Sequence, residues 1–304
     1  MVRIAVVGSL MMDLVVRAPR PALPGESLIG RSFSTFVGGK GGNQATAAAR
    51  LGAQVTMVGA VGRDSFGDTI RASLAAAGID TRFVRQLDHE GTGVAVPVVF
   101  DDGSNLIYAL PRANLALAPA DVEAARDAIA AADLLLVQFE VAPEATLAAV
   151  RIARAAGVRA LVNPAPVAPH PPEVFRLADL LIPNEVEAAA LSGLTAADPA
   201  AQAAALRDLG PAAVIITLGE RGAFVLAPEG HASVPAPAVN AVDTVGAGDA
   251  FCGALAVRLA SGHPLPDAAA FACRAAALAC TRPGAAASLP TLAEVEDFTS
   301  RLPA

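Results

Sequence analysis

The 304-residue chain contains no tryptophan and a single tyrosine, and aromatic residues make up only 4% of it. Hydrophobic residues nevertheless reach 54%, so the apolar content is mostly Ala, Val and Leu, which suits helices packed on buried strands. Charged residues are scarce, at 17%, and a chain so apolar is not a disordered one. Three cysteines, Cys252, Cys273 and Cys280, give no disulfide framework and point to a reducing, cytoplasmic setting. Cys273 and Cys280 lie in an alanine-rich stretch and read as one buried helix face rather than a metal site. No run of predominantly apolar, uncharged residues is long enough to span a bilayer, so no membrane partner is expected. Met1-Val2-Arg3-Ile4 runs straight into a strand pattern, without the layout of a signal peptide. Basic tracts are also missing, and the formal net charge is -7. A nucleic acid partner is therefore not expected, while a small acidic substrate remains compatible. Among the 22 Lys and Arg residues only Lys40 is a lysine, and it stands inside a glycine-rich loop.

What is present is a rhythm. Continuous apolar strands (4–7, 55–61, 133–138, 158–162, 179–182, 212–217) alternate with helical patterns (from Asp64 to about Ala77, then 119–131, 143–156, 184–192, 199–209). A hairpin spans 222–234, and helices close the chain at 247–261, 265–280 and 291–301. This predicts an α/β fold with a mostly parallel, Rossmann-like central sheet covered by helices on both faces, in a single domain over 1–304. Two alternating pieces break the rhythm, about 13–37 and 93–110, the second turning at Asp101-Asp102-Gly103. They predict a small accessory β-sheet standing off the main one as a lid. Pro97 cannot donate to a ladder and is expected at an edge or bulge of that sheet.

Two glycine loops open helices. In Asp243-Thr244-Val245-Gly246-Ala247-Gly248-Asp249, small residues let backbone N–H groups approach a ligand at a helix N-terminus, an anion hole fit for a migrating phosphoryl group. Asp249 in the first turn reads either as a helix cap or as a general base. Gly38-Gly39-Lys40-Gly41-Gly42-Asn43-Gln44 is the second loop; its spacing matches neither a P-loop nor a dinucleotide fingerprint.

Together with Val7-Gly8-Ser9 and Asp13, Gly91-Thr92-Gly93, Asn163-Pro164-Ala165-Pro166, Pro183-Asn184-Glu185-Val186-Glu187 and Thr217-Leu218-Gly219-Glu220-Arg221-Gly222, these loops resemble, in order, the motifs of the ribokinase family of carbohydrate kinases. The resemblance implies an ATP-dependent kinase acting on the 5-hydroxyl of a pentose, D-ribose or 2-deoxy-D-ribose. It implies Asp249 as the base, with Gly246, Ala247 and Gly248 stabilising the phosphoryl charge. Asp13, Gly39, Lys40, Asn43 and Glu140 would hold sugar hydroxyls. Asn184, Thr217, Gly219, Gly222 and Gly248 would face the nucleotide, and Glu187 would organise Mg²⁺ through water. A monovalent cation, typically K⁺, would lie at Asp243, Val245, Ala279, Arg282, Gly284 and Ser288. Chains of this family often pair their lids, which implies a homodimer. A nucleoside kinase and a non-catalytic sugar sensor are the competing functions. One position departs from the pattern: where the family usually carries Asn, two residues before Asp13, this chain has Met11. A thioether cannot pair a ribose hydroxyl as an amide does, which tilts the expectation toward 2-deoxyribose.

Overall fold

The computed structural model describes residues 1–195 and 198–302. In chain order it forms β1 (Arg3–Val7), β2 (Met11–Ala18), β3 (Ser32–Gly38), α1 (Lys40–Arg50), β4 (Gln54–Gly62), α2 (Ser65–Ala76), β5 (Asp80–Leu87), β6 (Gly93–Phe100) and β7 (Asn105–Leu110). After a 3₁₀ turn at Arg112–Ala116 come α3 (Pro119–Ala124), α4 (Arg126–Ala130), β8 (Leu134–Gln138), α5 (Pro143–Ala156), β9 (Arg159–Asn163), α6 (Pro172–Leu177) and β10 (Leu180–Leu181). The rest is α7 (Glu185–Ser192), α8 (Pro199–Arg207), β11 (Ala213–Thr217), β12 (Ala223–Ala227), β13 (Gly230–Val234), α9 (Ala247–Ala260), α10 (Leu265–Cys280) and α11 (Leu292–Ser300).

The main sheet runs β13-β12-β11-β10-β9-β8-β1-β4-β5 and is parallel except where β12 and β13 are added antiparallel. Its strands are apolar on both faces because each face carries a core. Ile4 and Val6 of β1 join α1, α2, α9 and α10 on one side, and Ala5 and Val7 join α3 to α8 on the other. From β1 the chain first builds outward through β4 and β5, then returns to start the other half at β8. The β1/β8 boundary is therefore the topological switch point, where a crevice opens beyond the carboxyl ends of the strands.

The two excursions meet in one four-stranded sheet, β3-β2-β6-β7, in which β2 and β6 pair in parallel. Asn114 ties this sheet to the body. Its Oδ1 accepts from Leu10 N at 2.8 Å and its Nδ2 donates to Leu10 O at 2.9 Å. Every residue of β7 is exposed.

Four expectations need correction. β5 is an additional edge strand; Asp80, Arg82 and Arg85 reach solvent from it and dilute the apolar signal. The helix expected over 119–131 is two helices that meet at Ala125, inside an alanine-rich run without a breaker residue. α6 lies between β9 and β10, where no helix is expected. Pro97 lies in β6, an inner strand; the ladder to β2 lapses beside it, between the pairs Asp13–Ala95 and Val16–Val98.

Candidate active site

Gly39 and Gly246 are the N-caps of α1 and α9, with φ of +85° and +81°. A side chain would be strained at either, so glycine allows both helices to start abruptly beside the crevice. The two helices pack on each other, and their first turns converge. Asn43 Nδ2 donates to Asp249 Oδ2 at 2.9 Å, and Gln44 Nε2 donates to Asp249 Oδ1 at 3.1 Å. Asn43, Gln44 and Asp249 are all buried. Asn43 Oδ1 is buried without a partner among the described residues, an acceptor left for a ligand hydroxyl.

Strand ends at the switch point supply the next residues. Glu140, just beyond β8, accepts from Ser9 Oγ and, at 3.0 Å, from the backbone N–H of Lys40. Asp13 on β2 turns its carboxylate over Gly38, where an added Cβ would lie 2.4 Å from Oδ2. Burial, with Glu140 and Asp249 nearby, pushes Asp13 from 3.8 up to about 7. Burial also raises Glu140 and Glu187. Lys40 is the counter-charge: burial opposes its ammonium, but Asp249, Glu140 and Glu187 outweigh that and raise its pKa. The lone lysine and the carboxylate of Asp249 thus face one site. Met11 is 3% exposed yet belongs to no hydrophobic cluster, whereas Met12 packs in the main core. Alternation along β2 puts Met11 on the same face as Asp13.

Beside this polar site lies a cavity of about 810 Å³, lined by Thr217, Gly219, Gly222, Thr244, Ala247 and Gly248 among others. A Cβ on Gly248 would meet nothing within 4 Å, so the first turn of α9 is bare toward open space. Asn184 is joined to Thr217 by an isolated bridge but is not in the cavity wall. Asn184 and Glu187 cap α7 reciprocally at 2.8 Å each way, so the start of the helix uses both side chains. Cys273 and Cys280 also line the cavity, and Cys280 is only partly buried, which corrects the expectation of one buried face. A second cavity, of about 400 Å³ and lined by Arg3, Gln54, Asp80 and Arg82, lies at the opposite ends of the strands.

Among the described residues no three His, Cys, Asp or Glu side chains are grouped to hold a metal. Glu187 alone fits Mg²⁺ only where phosphates and waters complete the shell. Of the residues expected to hold a monovalent ion, Asp243, Val245 and Gly284 are joined by hydrogen bonds, while the Ala279 carbonyl accepts from Arg282 N at 3.2 Å. Asp243 accepts from Val245 N at 3.0 Å and from Gly284 N at 2.9 Å. Arg282 is held away by Glu294 at 2.7 Å, and the Ser288 hydroxyl is buried against Ala285 O. The carbonyls of Val245, Arg282 and Gly284 accept no backbone N–H among the described residues, a donor set that suits a large monovalent cation. This loop backs Gly246, where a Cβ would lie 3.1 Å from Ala285.

The parts played by Gln138 and Asn114, and the link from Gln44 to Asn163, were not evident from the sequence. A signal existed for Gln138 and Asn163: each is the polar last residue of an otherwise apolar parallel strand.

The family model for the pfkB family carbohydrate kinases matches residues 1–292. Ribokinase of Schizosaccharomyces pombe is 40% identical over 309 residues, covering 97% of each chain. Deoxyribokinase of Salmonella typhi is 35% identical, covering 98% of each. The structure of Arabidopsis thaliana ribokinase complexed with ribose and ATP superposes with a TM-score of 0.91 at 30% identity, covering 98% of this chain and 99% of that one. With its whole length matched in sequence and in fold, the chain belongs to the pfkB family of carbohydrate kinases.

Proposed function

We propose that the protein transfers the γ-phosphoryl group of ATP to the 5-hydroxyl of a pentose. The observation that carries this is the meeting of α1 and α9: a carboxylate, a lone ammonium and a bare helix N-terminus share one crevice beside a nucleotide-sized cavity. Ribokinases and deoxyribokinases among the relatives support the same substrate class.

The pentose lies between Asp13 and Glu140, with Lys40 and the free Asn43 Oδ1 facing its hydroxyls. ATP lies along Thr217, Gly219 and Gly222, near Asn184, with its terminal phosphate at the start of α9. The 5-hydroxyl attacks the γ-phosphorus, and Asp249 takes its proton. N–H groups at Gly246 and Gly248, and at Ala247 once it gives up its 3.3 Å bond to Thr244 O, meet the charge on the equatorial oxygens, and ADP leaves. Glu187 would hold Mg²⁺ through water, which would neutralise phosphate charge, and Asp243 with the carbonyls of Val245, Arg282 and Gly284 would hold K⁺, which would supply a fixed positive charge to the anion hole. The four-stranded sheet acts as a lid over the sugar. Its face carrying Phe33 and Tyr108, both more than half exposed, is covered by the lid of a second copy. The three free cysteines suit a reducing, cytoplasmic compartment.

The deciding experiment is Asp249→Ala assayed for ADP release. We expect kcat to fall by at least ~10²-fold with pentose binding largely kept. Activity at the wild-type level removes Asp249 from the mechanism, and a wild-type protein that phosphorylates nucleosides but not pentoses replaces the substrate class.

A further inference from the structure

The carboxylate of Asp249 does not stand alone against substrate. Gln44, fully buried, spends both hydrogens of its amide: one goes to Asp249 Oδ1 at 3.1 Å, the other to Asn163 Oδ1 at 3.1 Å. Its oxygen accepts from Gln138 Nε2 at 2.6 Å. Asn163 is in turn fixed by donating to Ile182 O at 2.8 Å. A buried primary amide can sit either way round, and here one way is harmful, because it would aim the amide oxygen at a carboxylate. A backbone carbonyl that can only accept dictates the rotamer of Asn163. Asn163 then dictates that of Gln44, and Gln138, whose Oε1 has no partner among the described residues, follows by donating to the Gln44 oxygen. The sense of the bonds is thus set from β9 and the segment after β10.

We propose that Gln44 is the positioning residue for the base, its amide locked by Asn163, with its oxygen taken up by Gln138, so that an N–H faces Asp249 and holds the carboxylate toward the attacking hydroxyl. This rests on the kinase reading above. Asn43 donates to the other oxygen of Asp249 at 2.9 Å, and the titratable groups facing it are Asp13 from β2, Lys40 from α1, Glu140 after β8, Glu187 from α7 and Cys252 from its own helix. Asp13, Lys40, Glu140 and Glu187 lie where ligands arrive, so their influence changes with occupancy. The amide chain does not titrate and touches no ligand, so it keeps the base aimed in the empty and the loaded protein alike.

Three variants test this, with kcat and KM for the pentose measured across pH and folding checked by thermal melting. Gln44→Met keeps the volume and removes the donor; kcat falls about 10-fold or more while the sugar KM stays within about threefold. Gln44→Glu sets a carboxylate against Asp249 and moves the acid limb of kcat upward by about one pH unit. Gln138→Glu touches Asp249 nowhere, but it draws the Gln44 NH₂ to itself and turns the amide oxygen toward the base. The acid limb then moves the same way, which a purely structural role for Gln138 would not produce. An unmoved acid limb in the two Glu variants, or wild-type kcat in Gln44→Met, overturns the proposal while the kinase reading stands. A wild-type protein without pentose kinase activity overturns both.

Discussion

Replacing Met11 by Asn should exchange one sugar preference for another. Met11 is buried at the start of β2, shares a face with Asp13 and packs into no apolar cluster, so its thioether borders the sugar space. A ribose hydroxyl that loses water there and finds sulfur in place of an amide is left unpaired, at a cost of about 1–3 kcal/mol. At 1.4 kcal/mol per decade, that is about 5- to 150-fold in specificity. 2-Deoxyribose has no such group to strand. In Met11→Asn the balance reverses, because ribose pairs the new amide and 2-deoxyribose leaves a buried donor idle. The assay is ADP release with each sugar, read as the ratio of the two kcat/KM values. We expect the ratio of 2-deoxyribose to ribose to fall by that factor in the variant, chiefly because ribose improves. A ratio that moves by less than about threefold, under ~1 kcal/mol, refutes the reasoning.

Asp13 predicts a pH-dependent stability. Its folded value of about 7 stands above the ordinary 3.8, so the folded protein keeps a proton that the unfolded chain has lost. That stabilisation is complete below about pH 4 and disappears as pH rises through 7. Asp13→Asn should therefore flatten the decline of Tm between pH 4 and 7, and parallel curves for the two proteins would contradict the assignment. In the cavity of about 810 Å³, burial pushes Cys273 up to about 11 and, with Asp243 adding to it, raises Cys280. Alkylation is expected to be slow at pH 7, faster at pH 9, and slowed at Cys280 by ADP; peptide mass spectrometry reads the labelled site, and labelling indifferent to ADP would remove Cys280 from the nucleotide wall. For the lid surface, sedimentation should give twice the chain mass for the wild type and a lighter species for Tyr108→Glu, whereas a monomeric wild type at micromolar concentration rejects the pairing.

Much of this was legible in the sequence because the decisive features are local. Apolar runs of parallel strands, the two glycine loops and Asp249 each declare themselves within a few residues. The small sheet was legible as an interruption of that rhythm, in two pieces that the fold then joins. β5 was not, since an edge strand paired only to β4 places charged residues where inner strands place valine. The amides behind Asp249 were not either. Gln138 and Asn163 reach Gln44 from 94 and 119 residues away, and no spacing rule connects a strand end to the first turn of a remote helix.

The crevice is built from parts of unequal firmness. One wall is carried by α9, buried along nearly its whole length and wedged between α1 and α10, so the proton acceptor can shift only if the hydrophobic interior itself gives way. The opposite wall hangs on a thin ribbon whose outermost strand, β7, is wet along its entire length and whose docking relies on contacts such as Asn114 to Leu10. On warming, that ribbon loosens while the machinery beneath it is still intact, and the molecule forgets how to grip its acceptor before it forgets how to transfer phosphate.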